Sequence, residues 1–214
     1  RYGLATVPLL LLVSTSVLVS AFVTRDFSIR YVAENSNSAM PFEYTWVALY
    51  AGNSGSLLFI ATVFAILSVI AVFNLAKRLP LTAPYITAFL ALFLSFFLAV
   101  IVFLANPLEK LSVTPVDGQG INPLLTHPGM FIHPPVMMAG LVAVAIPLAF
   151  ALGALVAGKK GDEWVDPGRT WGIVAWAALG SGLLLGGWWA YTILGWGGYW
   201  AWDPVENAGF MPFI

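Results

Sequence analysis

Two histidines, two closely spaced carboxylates and a knot of aromatic rings are the residues of this chain with chemistry to offer. Trp196, Tyr199, Trp200 and Trp202 fall within seven positions of the stretch WGGYWAWDPVENAGFMP. Trp and Tyr favour the headgroup level of a membrane, but that preference leaves one or two scattered rings without fixed spacing. A cluster this dense offers flat contact to a large planar apolar ligand, because each ring buries a large area. A helical segment would bring Trp196, Tyr199 and Trp200 to one face through i, i+3 and i+4 spacing. Gly195, Gly197 and Gly198 argue instead for a short turn. Trp188 and Trp189 stand just before the cluster and either extend its wall or mark the membrane interface.

Asp203 and Glu206 follow the rings as Asp-Pro-x-Glu. Paired carboxylates can serve acid–base chemistry, but helix geometry alone accounts for this spacing. It is that of a capping box, with Asp203 at the N-cap, Pro204 at the first helical position and Glu206 at the third. Both carboxylates are therefore expected to start a helix and to fix where the rings point. His127 and His133 lie in NPLLTHPGMFIHPP, residues 122–135. Pro134 and Pro135 suit a first helical turn, where a missing N–H has no partner to lose. The partial positive charge of that helix end favours neutral imidazole at His133, the form that ligates iron. The alternative for either histidine is a loop side chain bonded to a backbone carbonyl, and for His127 nothing but proximity recommends more.

These stretches together carry a resemblance. WGxxWxWDPxEN, as it stands at 196–207, resembles the tryptophan-rich WWD motif of the haem-handling proteins of cytochrome c biogenesis. Its continuation DPVENAGFMP is most similar to the CcmF/NrfE branch, the membrane subunit of the bacterial haem lyase. NPLLTHPGMFIHPP resembles the loop that precedes the motif there, and YVAENSNSAMPFEYTWVAL at 31–49 resembles the first external loop. Two places depart from the pattern. Gly52-Asn53-Ser54-Gly55 stands where the family usually has Gly-His-Glu-Gly, and Val136-Met137-Met138-Ala139 stands where it tends to an aromatic, glycine-rich run.

The resemblance implies haem of the b type, as substrate or bound cofactor. It makes His133 an axial ligand of the haem iron, and Trp196, Tyr199, Trp200 and Trp202 the haem platform. Asp203 and Glu206 belong to the motif; no catalytic side chain is assigned. A second axial ligand and those of a further membrane haem are expected beyond Ile214. The implied partners are a haem-carrying chaperone, apocytochrome c and thiol-handling CcmH-like subunits, and the implied reaction is thioether attachment of haem to a CxxCH site. A haem transporter or exporter bearing the same motif is the alternative. A quinone-reactive membrane cytochrome is weaker, because the apolar spans hold no histidine.

The elements that must position these residues are written in the hydropathy. The chain of 214 residues is 60% hydrophobic and 9% charged, which excludes an ordinary soluble domain. It has no cysteine, hence no disulfide, zinc–thiolate site or haem-attachment CxxCH of its own, and its net charge of −1 suggests no nucleic acid. Five apolar runs, 2–23, 57–76, 85–105, 136–157 and 171–194, match the length of about 20 residues that a helical crossing needs. Backbone groups in lipid must pair within their own segment, so the runs are helices. The expected fold class is all-α, a polytopic transmembrane helical bundle forming one unit over 1–214, with five spans and the start of a sixth. Beginning at Arg1 and stopping just after a helix start, the chain reads as an internal piece of a longer protein. Gly180-Ser181-Gly182 and Gly186-Gly187 allow close helix approach, so the last two spans should pack inside the bundle.

Orientation follows from the basic residues. Arg1, Lys77, Arg78, Lys159, Lys160 and Arg169 form the inside group and Arg25, Arg30 and Lys110 the outside one, six against three. This puts 24–56, 106–135 and 195–212 together on the outer face, which the resemblance identifies as the periplasmic side of a bacterial inner membrane. The thirty-residue outer loop 106–135 is long enough to be functional. Asp166-Pro167 reads as a helix cap on the inner side. The spans hold no Asp, Glu, Lys, Arg or His, which argues against a pump or ion-coupled transporter.

Overall fold

The computed structural model describes residues 2–75, 78–158, 161–193 and 198–214. Its helices, in chain order, are α1 (Tyr2–Thr24), α2 (Arg30–Asn35), α3 (Tyr44–Ala48), α4 (Asn53–Leu75), α5 (Ala83–Phe103), α6 (His133–Ala143), α7 (Ala145–Val156), α8 (Val165–Ile193) and α9 (Pro204–Phe213). Among the described residues no strand forms, and Ile29 and Lys110 make one isolated antiparallel bridge. Five helical stretches are long and apolar enough to cross a membrane: α1, α4, α5, the α6–α7 pair and α8. The all-α, membrane-spanning class expected from the sequence is therefore the observed one.

The fourth crossing differs from the single helix that its apolar run suggests. It breaks at Val144 between α6 and α7. Pro147 supplies the reason: it has no N–H for the Ala143 carbonyl, and its ring crowds that oxygen. The break leaves α6 free to lie along α8 while α7 packs on α5. Gly140 meets the Leu179 backbone, and a Cβ at Gly182 would stand 2.5 Å from the Met137 Cα, so α6 and α8 touch backbone to backbone. That contact realises the close approach expected of the small residues. The core behind it is aliphatic and aromatic, with Leu18, Leu58, Phe64, Leu90, Ile146 and Phe150 essentially inaccessible.

At one end of the bundle, residues 25–52 and 104–132 form a continuous layer. Arg30 N–H donates to the Glu109 carbonyl at 2.9 Å, Leu111 N–H to Ser28 at 2.8 Å and Gln119 N–H to Ala33 at 2.7 Å. The Asp117 carboxylate accepts from Ser38 N–H at 2.8 Å, and those backbone donors hold its carboxyl below the usual range. The half-exposed Arg30–Glu109 ion pair, 3.0 Å long, adds at most about 1 kcal/mol beside these bonds. Two tyrosines tie the layer together. Tyr50 donates to the Met130 carbonyl at 2.9 Å, and Tyr31 accepts from Gly52 N–H at 2.9 Å. Burial pushes each phenol up to about 12. A loop that looked irregular in sequence is thus built into a roof.

Helix direction alternates, so this end also holds the 198–203 segment, while Arg78 and Arg169 lie at the other end. Arg1, Lys77, Lys159 and Lys160 fall outside the described residues. The expected cap at Asp166 is corrected. Val165 N–H already bonds the Asp162 carbonyl at 2.8 Å, and Gly168 N–H bonds Trp164 at 3.0 Å. Winding therefore starts before Asp166, which sits in the first turn of α8 and pairs with Arg169 at 2.8 Å.

Candidate functional site

His133 opens α6, with its two prolines in the first turn. Its ring lies against the flank of α8, where Nδ1 is 2.8 Å from the Gly182 carbonyl oxygen. A carbonyl can only accept, so Nδ1 carries the hydrogen and donates it. Nε2 is then the ring nitrogen with a free lone pair, and it makes no hydrogen bond among the described residues. Gly186 makes room for the ring, since a Cβ there would be 2.6 Å from His133 Cε1. Trp189 lies nearly parallel to it, with centroids 6.3 Å apart and planes at 12°. Trp189 thus lines the same cavity as His133 and Trp200.

A cavity of about 120 Å³ beside His133 is lined also by Trp189, Trp200, Asp203 and Glu206. The sequence separates His133 from these residues by more than fifty positions, and the α6–α8 contact brings them together. Across Trp200, Leu183 and Gly187 the cavity adjoins a larger apolar groove of about 560 Å³, formed by Trp176, Leu184, Tyr199, Trp200, Phe210 and Phe213. That volume is in the range of sites for sizeable organic ligands, about 300–1,000 Å³.

The Trp-rich segment is not helical where it is described. Trp196 lies outside the described residues. From Gly198 to Asp203 the backbone is irregular, with positive φ at Gly198 (132°) and at Trp202 (59°). The rings therefore do not form one flat face. Tyr199 stacks on Tyr191 at 4.4 Å, and Trp200 and Trp202 meet Phe210 edge-on at 5.6 and 6.1 Å. Trp200 is turned inward between cavity and groove, whereas Tyr199 and Trp202 are 59% and 67% exposed.

Asp203 is the N-cap of α9, its Oδ1 accepting from Glu206 N–H at 2.7 Å. The reciprocal bond departs from the standard box. Glu206 Oε2 accepts from Ala201 N–H at 2.8 Å rather than from Asp203 N–H. The left-handed turn at Trp202 is what presents Ala201 to it, and Asn207 Nδ2 steadies that turn by donating to the Trp202 carbonyl at 3.0 Å. Both carboxylates are thus spent on backbone amides at a helix start.

His127 is engaged differently. Its Nδ1 accepts from Gly129 N–H at 3.0 Å, capping the 3₁₀ turn Pro128–Phe131, and its Nε2 is 3.4 Å from Thr192 Oγ1. Its ring leans on Trp188 at 5.1 Å. With both nitrogens occupied it stays a structural histidine, although its backbone partner is an amide and not a carbonyl.

Three features of the site escape a reading by residue type: the Gly182 carbonyl, the space at Gly186, and two buried indole nitrogens. Trp189 Nε1 and Trp200 Nε1 are buried without an acceptor among the described residues. Leaving a buried donor unpaired costs about 1–3 kcal/mol. The paired glycines of α8 were the only sequence signal for any of this. No group of three or more His, Cys, Asp or Glu converges among the described residues. What the site offers a metal is one imidazole nitrogen beside an apolar groove, which suits iron that arrives in its own macrocycle.

The family model described as cytochrome C assembly protein matches residues 50–214. The cytochrome c-type biogenesis protein CcmF of Pseudomonas aeruginosa is 42% identical over 199 residues, covering 92% of this chain and 30% of its own length. The cytochrome c-type biogenesis protein NrfE of Haemophilus influenzae is 36% identical over 202 residues, covering 94% of this chain and 32% of its own. The solved structure of a cytochrome c heme lyase CcmF superposes with a TM-score of 0.80 at 35% identity, over 98% of this chain and 33% of that one. The chain therefore spans about a third of the length of the relatives it matches.

Proposed function

The chain belongs to the cytochrome c assembly protein family, in its CcmF/NrfE branch, and on that premise we propose that its outer end receives haem and holds it for attachment to apocytochrome c. The observation that carries the reading is the juxtaposition of His133 with Trp200 across α8, at the mouth of an apolar groove. His133 Nε2 serves as one axial ligand. Trp200, with Tyr199 and the side chains of α9, supplies apolar contact, and Trp202 extends it toward solvent; Trp196 is assigned to the platform by its place in the motif alone. Asp203 and Glu206 act by holding the start of α9, which fixes Trp200.

Haem is here a substrate of the b type, and what it brings is a pair of vinyl groups. Each cysteine thiol of a partner's CxxCH adds across one vinyl. A carbon–sulfur bond forms, the thiol hydrogen ends on the other vinyl carbon, and no net oxidant is consumed. The residues of this chain orient haem and exclude water from its apolar face. With no cysteine of its own, the chain depends on partners for thiols: the apocytochrome, and CcmH-like subunits that keep it reduced, with a haem-carrying chaperone as donor. The six-to-three asymmetry of basic residues supports a site on the outer face, read here as the periplasmic side of a bacterial inner membrane.

His133→Gly in the full-length protein tests this. Haem should be lost or its visible spectrum altered, and mass spectrometry of co-expressed apocytochrome should show no covalent haem. Free imidazole should restore part of both, because a diffusible ligand can fill the vacated position. Covalent haem at wild-type level with an unchanged spectrum would refute the axial role. Haem crossing the membrane normally without attachment would move the protein to the exporter class.

A further inference from the structure

We propose that the backbone of α8 presets both the tautomer and the position of the His133 imidazole before any ligand arrives, with Gly186 as the positioning residue. The consequence for haem rests on His133 being its ligand; the tautomer itself does not.

Three contacts bound the ring. The Gly182 carbonyl accepts from Nδ1–H at 2.8 Å. This oxygen lies inside a continuous helix, where its other lone pair faces the amide one turn on. At Gly186 the helix flank is bare. A methyl there would stand 2.6 Å from Cε1, 3.0 Å from Nδ1 and 3.2 Å from Nε2, so the ring would have to shift away from the α8 flank that carries the Gly182 carbonyl. Trp189, nearly parallel at 6.3 Å, covers a face and opposes rotation about the ring's long axis. A flipped ring would bring a carbon to the carbonyl and lose the hydrogen bond. The arrangement keeps the proton on Nδ1 and leaves Nε2 bare, so ligation needs no prior proton shift. A carbonyl on the far nitrogen also makes the near one a better donor to iron.

His127 shows that the effect is local and not a property of this end of the protein. Its Nδ1 accepts from Gly129 N–H, so its ring proton belongs on Nε2. Two histidines six positions apart are thus held in opposite tautomers.

The test uses haem-free, full-length protein in nanodiscs with nitrogen-15 histidine, since NMR separates protonated from bare ring nitrogens. Signals are assigned with His133→Gln and His127→Gln. His133 should show a proton fixed on Nδ1, and His127 the reverse. Gly186→Ala should replace the His133 pattern by that of a freely exchanging ring and weaken haem binding by roughly ten- to a hundredfold. Gly172→Ala puts the same methyl on α8 where nothing lies within 4 Å, and should change neither. Circular dichroism should show equal helix content in both variants. A proton on Nε2 of His133 in the unmodified protein overturns the proposal whatever haem does. So does a fixed Nδ1–H pattern that survives Gly186→Ala. A pattern lost in Gly186→Ala while haem binding stays normal there and in His133→Gly supports the positioning and sinks the ligand reading.

Discussion

Replacing Asp203 separates a cap from a catalytic charge, because Asn and Ala differ in one respect and agree in the other. The Asp203 carboxylate accepts from Glu206 N–H at 2.7 Å and is exposed. Asp203→Ala removes the acceptor and should destabilise the start of α9 by about 1 kcal/mol. The open population of its first amides then rises about fivefold. Asp203→Asn keeps the acceptor and loses only the interaction of the charge with the helix end, about 0.3 kcal/mol at an exposed site, or under twofold. The neighbouring turn amplifies the difference. Trp202 holds a left-handed φ of 59°, which disfavours an L residue by on the order of 1–2 kcal/mol. The Glu206–Ala201 and Asn207–Trp202 bonds oppose that strain with about 0.5–1.5 kcal/mol each. Freeing the N-cap therefore loosens a turn that is close to balance, and Trp200 with it. Hydrogen exchange over 204–213, followed by mass spectrometry, reads the helix, and haem retention reads the ring. Asn should resemble the unmodified protein in both, and Ala should exchange about fivefold faster at the start of α9 and retain less haem. Equal loss in Asn and Ala with unchanged exchange would show that the charge acts on the ligand directly, and the capping account would fall.

Other outcomes follow from the same structure. Trp202→Gly should keep the turn, since glycine adopts positive φ freely, so any haem lost reports the ring alone; loss of α9 protection would contradict this. Single cysteines at Val116 and Phe42, both well exposed on the roof, should react with an impermeant thiol reagent in spheroplasts, and Gly161→Cys should not; the reverse pattern would invert the topology. Raised phenol values at Tyr31 and Tyr50 mean that the folded roof disfavours phenolate. Its stability is whole below the unfolded value of about 10 and is lost as pH rises towards 12, so proteolysis within 104–132 should accelerate across that window; Tyr50→Phe should flatten part of the rise, and an unchanged slope would count against Tyr50 as a tie.

Much of the fold was legible because lipid leaves a spanning segment little choice but a helix. Hydropathy located five crossings, and Asp203-Pro204 announced α9. Pro147 carried the fourth-span break in plain view, but its effect depends on α6 and α7 having different neighbours to pack on. Asp166 does not cap α8 because the turn that pre-empts it starts at Asp162, where nothing but polarity marks the sequence. Of the site, histidine and rings were visible as residue types. Their relation was not, since the Gly182 carbonyl has no side chain to read and the inward turn of Trp200 depends on a positive φ that tryptophan seldom adopts.

The hydrogen bond between His133 and Gly182 joins residues 49 positions apart, and this has a consequence for the order of events at the ribosome. When α6 enters the bilayer, the acceptor for Nδ1 has not yet been made. The imidazole acquires its tautomer only once α8 has crossed and its glycines have seated against α6. Trp200 and the Asp203 cap emerge later still. A nascent chain therefore has no assembled site around His133 while α6 inserts, and gains one only after α8 has crossed and residues 198–206 have followed.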